Sequence, residues 1–193
     1  MAKVKQKKCK QCGSLFTPYL STKKCCSIDC EILHGKAFIV TKKKKEKVAQ
    51  RKKDRRRLQE LQPRSYWYGR LEKLVNQYVL WRDRNEPCCT CGTVTEGIKY
   101  DAGHFFTKAA RSDIRFELTN IHKQCSQKCN VYGSGMRNEY EKFIVKKYGQ
   151  KHLEWLKEVK PPLKEQFPNW QDIEAEIVRY RKILRDVGLK PKT

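Results

Sequence analysis

Ten cysteines in 193 residues fall into tight groups, and their spacing constrains the chain more than any other feature. Cys88-Cys89-Thr90-Cys91-Gly92 opens one stretch, and Cys125 and Cys129 close it. Thiolates two or three residues apart reach one ion from a tight turn, and a second turn completes a tetrahedral cage. The same logic applies upstream, where Cys9-Lys10-Gln11-Cys12-Gly13 precedes Cys25, Cys26 and Cys30. The expected ligands are Cys9, Cys12, Cys26 and Cys30 for one zinc, and Cys88, Cys91, Cys125 and Cys129 for another. Cys25 and Cys89 are then spare, with Cys25 and His34 as rival ligands in the first cage. Gly13 suits the tight turn, Ser27 is placed to cap a short helix carrying Cys30, and Phe16 and Leu20 are the expected apolar support. Cages filled by four thiolates leave no open position, so both zinc ions are structural.

Composition supports this. Hydrophobic residues make up 38% of the chain, too few for one large core, so metal staples carry part of the folding free energy. The formal charge of +23 calls for a polyanionic partner, because neutralised phosphates release counterions. Disulfides would need an oxidising compartment, yet Met1-Ala2-Lys3-Val4-Lys5 precedes no apolar signal core. No window approaches the ~18 apolar residues of a membrane span. Reduced thiolates, a cytoplasmic setting and no membrane partner are expected.

Along the chain, residues 1–36 read as an N-terminal knuckle and 37–62 as a basic linker or solvated helix. Lys42, Lys45, Arg51, Arg55 and Arg57 in that run are expected to track phosphates. A third segment, 63–149, opens with an amphipathic helix over 65–84. There Ser65 is the expected cap, Trp67, Leu71, Leu74, Val75, Tyr78 and Trp81 form the stripe, and Asn85 and Pro87 end it. Residues 97–101 are expected to form a strand leading to His104. A helix over 136–148 stops at Gly149. The last segment, 150–193, carries a helix over 169–187 capped by Asn169. That tail is free either to cover the preceding module or to pair with a second subunit as a homodimer.

Several motifs recur in an order that resembles a known family. Pro87-Cys88-x-x-Cys91-Gly92-Thr93, Asp101-Ala102-Gly103-His104, Arg115-Phe116, Asn120-Ile121-His122-Lys123-Gln124-Cys125 and Cys129-Asn130 are similar to the NinG/Rap recombination nucleases of lambdoid phages. Leu61-Gln62-Pro63-Arg64-Ser65-Tyr66-Trp67 and the N-terminal cysteines match as well. One departure is the C-x-x-x-C of Cys125 and Cys129, where the family carries C-x-x-C. The resemblance implies an α+β chain: a small zinc-stapled ββα-metal (HNH-like) nuclease domain with an N-terminal zinc knuckle, a basic linker and flanking helices. It further implies a DNA endonuclease acting on branched intermediates such as Holliday junctions and D-loops, in the cytoplasm of a bacterial host.

Phosphodiester hydrolysis needs an activated water and help for the leaving oxygen. A neutral imidazole supplies the first, and His104 is the candidate base. A divalent ion, Mg²⁺ or Mn²⁺, supplies the second. In the HNH pattern Asn130 ligates that ion, Gly103 stands where a second ligand is usual, and Asp101 is its substitute. Asn120 corresponds to the middle Asn, tying the loop and orienting the base. His122 either joins the ion, contacts a phosphate or is a surface residue. Arg111, Arg115, Lys123, Lys128 and Arg137 are the expected phosphate clamps. Two rival readings remain, a non-catalytic zinc-dependent DNA-binding accessory protein and a sequence-specific HNH endonuclease.

Overall fold

The computed structural model describes residues 5–192 and divides after Leu61 into two compact units. In the first unit, β1 (Lys7–Lys8) pairs antiparallel with β2 (Leu15–Phe16), Lys7 opposite Phe16. The turn between them closes through Gly13, at φ 78°, whose N–H donates to the Cys9 carbonyl at 3.0 Å. A side chain at that φ is strained, so glycine holds the turn that brings Cys9 and Cys12 together.

Helix α1 runs unbroken over Ile28–Glu60. Ser27 caps it, its Oγ accepting from the Cys30 N–H at 3.3 Å. The short helix and the basic run are therefore one element, and the boundary drawn at 36/37 falls inside it. None of its residues is buried, so tertiary packing does not hold it. Its Lys, Arg, Gln, Ala and Leu content, the Ser27 cap and the anchorage of Cys30 account for the helix. Leu20, expected as apolar support, is 57% exposed; Phe16 is half-buried and Pro18 and Cys25 are buried instead.

The second unit is organised on α2 (Arg64–Arg82). Trp67, Tyr68, Leu71, Leu74, Val75 and Val79 are buried along it, while Tyr78 and Trp81 stay partly open. The cap position is Pro63, in extended backbone with φ −66°, two residues before Ser65. The helix stops at Arg82 because buried Asp83 is drawn inward. Arg82 grips Asp83 by two bonds of 2.6 and 2.7 Å, and Asp83 Oδ2 accepts from the Lys123 N–H at 3.1 Å. Arg82 also donates to the carbonyls of Leu118 at 3.0 Å and Ile121 at 2.7 Å.

Helix α6, the last of the chain (Trp170–Asp186), packs on α2 through Ile173, Ile177, Tyr180 and Leu184, with Trp170 stacked on Trp67 at 4.9 Å. Each fully buried aliphatic or aromatic side chain contributes about 1.5–3 kcal/mol, so this interface is a substantial part of the second unit's stability. The tail thus belongs to the same unit as α2. Its start is fixed by Asp172, which accepts from the Asn169 N–H at 2.7 Å.

Strands β3 (Tyr100–His104) and β4 (Ile121–Cys125) form an antiparallel pair with Gly103 opposite His122. Residues 97–99, expected in the strand, form the approach to it, turning at Gly97 with φ 80°. One face of the pair meets α2 through Ala102 and Ile121. After β4 comes a π-helical turn, Ser126–Val131, and then α3 (Arg137–Tyr148) and α4 (Gln150–Lys157). Tyr140, Ile144, Leu153 and Leu156 of these helices bury a second core with Phe105, Phe106 and Ile114. A short helix, α5 (Leu163–Gln166), follows Pro161-Pro162 and leads to α6.

Candidate functional site

Among the described residues, two sets of four cysteines converge so that their sulfurs all lie within 4.8 Å of one another: Cys9, Cys12, Cys26 and Cys30, and Cys88, Cys91, Cys125 and Cys129. The Sγ atoms of Cys12 and Cys26 are 3.5 Å apart, and those of Cys26 and Cys30 3.7 Å. In the second set, Cys88–Cys129 is 3.8 Å and Cys91–Cys125 3.6 Å. A tetrahedral ion with metal–sulfur bonds near 2.3 Å requires sulfurs about 3.8 Å apart, so both sets fit a metal of that kind. None of the cysteines is in a disulfide. Cys25 and Cys89 are buried and stand outside the sets, as does His34.

Local contacts lower the thiols of Cys9, Cys12, Cys88 and Cys91, while Cys26 is raised chiefly by its contact with Cys12, and Cys125 and Cys129 chiefly by burial. The Cys12 N–H, ahead of other groups, pulls the Cys9 thiol down to about 5. Cys88 is held low chiefly by the adjacent Cys89 thiol, which that contact and burial push up. The N–H of Cys125 also donates to Cys88 Sγ at 3.3 Å. The extra residue between Cys125 and Cys129 is absorbed by the π-helical turn, whose wider winding still returns Cys129 to the cage.

Beside the second cage a cleft of about 580 Å³ is lined by Glu72 and Asn76 of α2, Asp101 and His104 of β3, Lys108, and Asn130 from the π-helical turn. Asp101 Oδ2 accepts from Asn130 Nδ2 at 3.3 Å and from Ser126 Oγ at 2.5 Å, with Lys99 Nζ 3.8 Å from its other oxygen. Turned over, the Asn130 amide would present an oxygen beside the carboxylate. Two oxygen donors in an open cleft fit Mg²⁺ or Mn²⁺, which keep waters and bind substrate phosphates at their remaining positions.

His104 Nε2 lies 3.1 Å from the Arg115 carbonyl oxygen. A carbonyl only accepts, so Nε2 carries the proton and Nδ1 is the basic nitrogen of the neutral ring. Burial, the leading cause, lowers the His104 pKa from its ordinary value, so the ring is neutral near pH 7.

Asn120 is fully buried away from the cleft. Its Oδ1 accepts from the Phe106 N–H at 2.9 Å, and its Nδ2 donates to the carbonyls of Phe106 at 3.1 Å and Ile114 at 3.4 Å. It staples the loop that returns from His104 and holds Ile114, next to Arg115. His122, expected at the metal or a phosphate, faces the other way. It is 1% exposed, within 3.1 Å of the Tyr140 hydroxyl and 2.8 Å of the Tyr148 hydroxyl, and burial holds its pKa down at about 3. Its place opposite Gly103 puts it on the α3 side of the strands, so it is a core residue.

The phosphate clamps divide. Arg111 is bound to Asp113 at 2.7 Å and to the carbonyls of Leu156, Lys157 and Glu158, which fixes the loop to the end of α4 and takes the guanidinium out of the clamp set. Lys123 is also taken, buried with Nζ on the Arg84 carbonyl at 3.0 Å and over the Tyr100 ring at 4.7 Å. Lys128 is exposed, and Arg137 lies over the Phe105 and Phe106 rings at 5.2 and 4.7 Å. Arg115 pairs with Glu72, which also pairs with Lys108. Lys42, Lys45, Arg51, Arg55 and Arg57 are all exposed on α1.

Glu72 and Ser126 were not singled out by the sequence. Glu72 sits one residue past buried Leu71 on an amphipathic helix with several other charged and polar residues, and only the fold turns it toward His104. Ser126 follows a cage cysteine and carried no spacing signal of its own.

The chain matches the family model described as Bacteriophage Lambda NinG protein over residues 1–188. It is 34% identical over 169 residues to "Protein ninG" of Escherichia phage 933W, covering 80% of this chain and 81% of that one. Identity to "Protein ninG" of Escherichia phage lambda is 32% over 171 residues, covering 80% and 81%. For "Protein ninG" of Salmonella phage P22 it is 32% over 166 residues, covering 77% and 79%. No solved structure matches the chain significantly.

Proposed function

The chain belongs to the NinG family of bacteriophage proteins, and on that premise we propose that it is a metal-dependent endonuclease acting on branched DNA. One observation carries the reading: Asp101, His104 and Asn130 line a single cleft on a strand–strand–helix unit closed by four cysteines. We read that order of elements as a ββα-metal, HNH-like arrangement. Both cysteine cages hold structural zinc, and Asp101 and Asn130 hold Mg²⁺ or Mn²⁺, which when bound supplies Lewis-acid stabilisation at the leaving oxygen.

In this reading the neutral His104 ring takes a proton from the attacking water at Nδ1, while the Arg115 carbonyl fixes the ring through Nε2. Ser126 and Lys99 orient the Asp101 carboxylate. Lys108 and Glu72 line the cleft and Arg115 pairs with Glu72 behind it, so both cations are placed to exchange that carboxylate for a phosphate. The basic surface binds DNA through its phosphates, and no helix of the described residues is long and apolar enough to cross a membrane.

The test is incubation with labelled four-way junctions and matched linear duplex, with and without added Mg²⁺ or Mn²⁺. Metal-dependent cutting confined to the junction supports the reading. Cutting of particular linear sequences would make the chain a sequence-specific endonuclease, and binding without cutting a DNA-binding accessory protein.

A further inference from the structure

Helix α1 carries more charge, on more sides, than one duplex can use. At about 100° per residue, Lys42, Lys45, Lys53 and Arg56 fall on one side of the cylinder. Lys44, Lys47, Arg51 and Arg55 fall on the opposite side. All eight are exposed, and nothing on α1 is buried. Lys42 pairs with Glu46 at 4.0 Å and Arg56 with Glu60 at 3.2 Å, but such exposed pairs are screened and leave both sides positive.

The pattern also works against the helix itself. Lys43 and Lys47, Arg51 and Arg55, and Lys52 and Arg56 are like charges four residues apart, which repel along the helix surface. A solvated spacer alternates its signs along such rows. Glu46, Asp54 and Glu60 offset part of this repulsion, and anions on several sides would relieve the rest.

With side chains a helix is about 10–12 Å across, so laid against a single duplex it turns one side to water, and in a major groove, with phosphates along both walls, its outward side still does. We propose that α1 is the branch-reading element of the chain, lodged between two duplex arms of a branched DNA with phosphates on both of its sides. This rests on the DNA reading above and adds which form of DNA the helix fits.

The test uses the full chain, no added divalent ion, and equilibrium binding to a four-way junction and a linear duplex of equal length over a range of salt. One variant is K42Q/K45Q/K53Q/R56Q and the other K44Q/K47Q/R51Q/R55Q. Glutamine keeps helix propensity, and circular dichroism checks that α1 survives. On the junction each variant should flatten the slope of log affinity against log salt by about 3–4, near 0.9 for each phosphate no longer neutralised. On the duplex only one of the two should do so. The proposal fails if one face carries the whole effect on the junction, if neither face does, or if both faces count equally on the duplex. These outcomes are separable from catalysis: a chain that reads the junction on both faces but never cuts it would overturn the endonuclease alone.

Discussion

Gly103 lies diagonally across the β3–β4 pair from Gln124, so close that a Cβ on Gly103 would clash with Gln124 Oε1 and lie 3.1 Å from Gln124 Cβ. Gln124 cannot step aside freely, because it is fully buried and its Nε2 donates to the Gly135 carbonyl at 2.8 Å. Packing thus keeps the residue before His104 without a side chain, so no ligand can come from that position. Gly103→Ala should destabilise the second unit by about 1–3 kcal/mol, as overpacking does. Chemical denaturation measures this, and a neutral substitution would show that Gln124 has room to move.

Metal analysis should find two zinc ions per chain. Cys91→Ser should remove one and unfold the second unit, since a structural zinc supplies on the order of 10 kcal/mol. Cys12→Ser should remove one and leave that unit folded, because α2, α6 and the strands share no ligand with the first cage. Cys25→Ser and Cys89→Ser should keep both ions. Loss of all structure in Cys12→Ser would contradict the two-unit division.

The metal cages were legible because ligand spacing is local: a thiolate pair on a turn announces itself in the sequence. Helix α6 was legible for the same reason, its Ile173, Ile177, Tyr180 and Leu184 recurring at helical period and all four buried. What depends on which way a strand faces was not. His122 and His104 are near in sequence pattern but lie on opposite sides of the strand pair, and only register separates a core histidine from a cleft histidine. Arg111 and Lys123 looked like any other cations on a basic chain until their carbonyl partners came from residues distant in sequence.

Buried His122 should make the fold sensitive to acid. Its folded pKa, about 3, lies below the ordinary value near 6.5, so the unfolded chain binds the extra proton between them. Its contribution is complete above about pH 6.5 and is lost as pH falls toward 3, at up to about 1.4 kcal/mol per pH unit. Denaturation of the wild type and His122→Gln at several pH values isolates it, because both carry the same cysteine cages. Parallel pH curves would contradict the burial argument.

Cleavage should follow His104 in pH. Burial favours the neutral ring, so the rate should rise through a midpoint below 6.5 and level off near neutrality. A midpoint above 7 would assign the base elsewhere.

If His104 Nδ1 is the general base of a metal-dependent cleft, single-turnover cleavage of a four-way junction by His104→Ala reads it directly. The rate should fall by roughly 10²–10⁴, with two zinc ions, wild-type thermal stability and near-normal junction affinity retained, because the imidazole acts only as water attacks phosphorus. Asn130→Ala should fall similarly but recover in part as Mn²⁺ is raised. A folded, zinc-replete His104→Ala protein that cuts the junction at the wild-type rate would contradict the account.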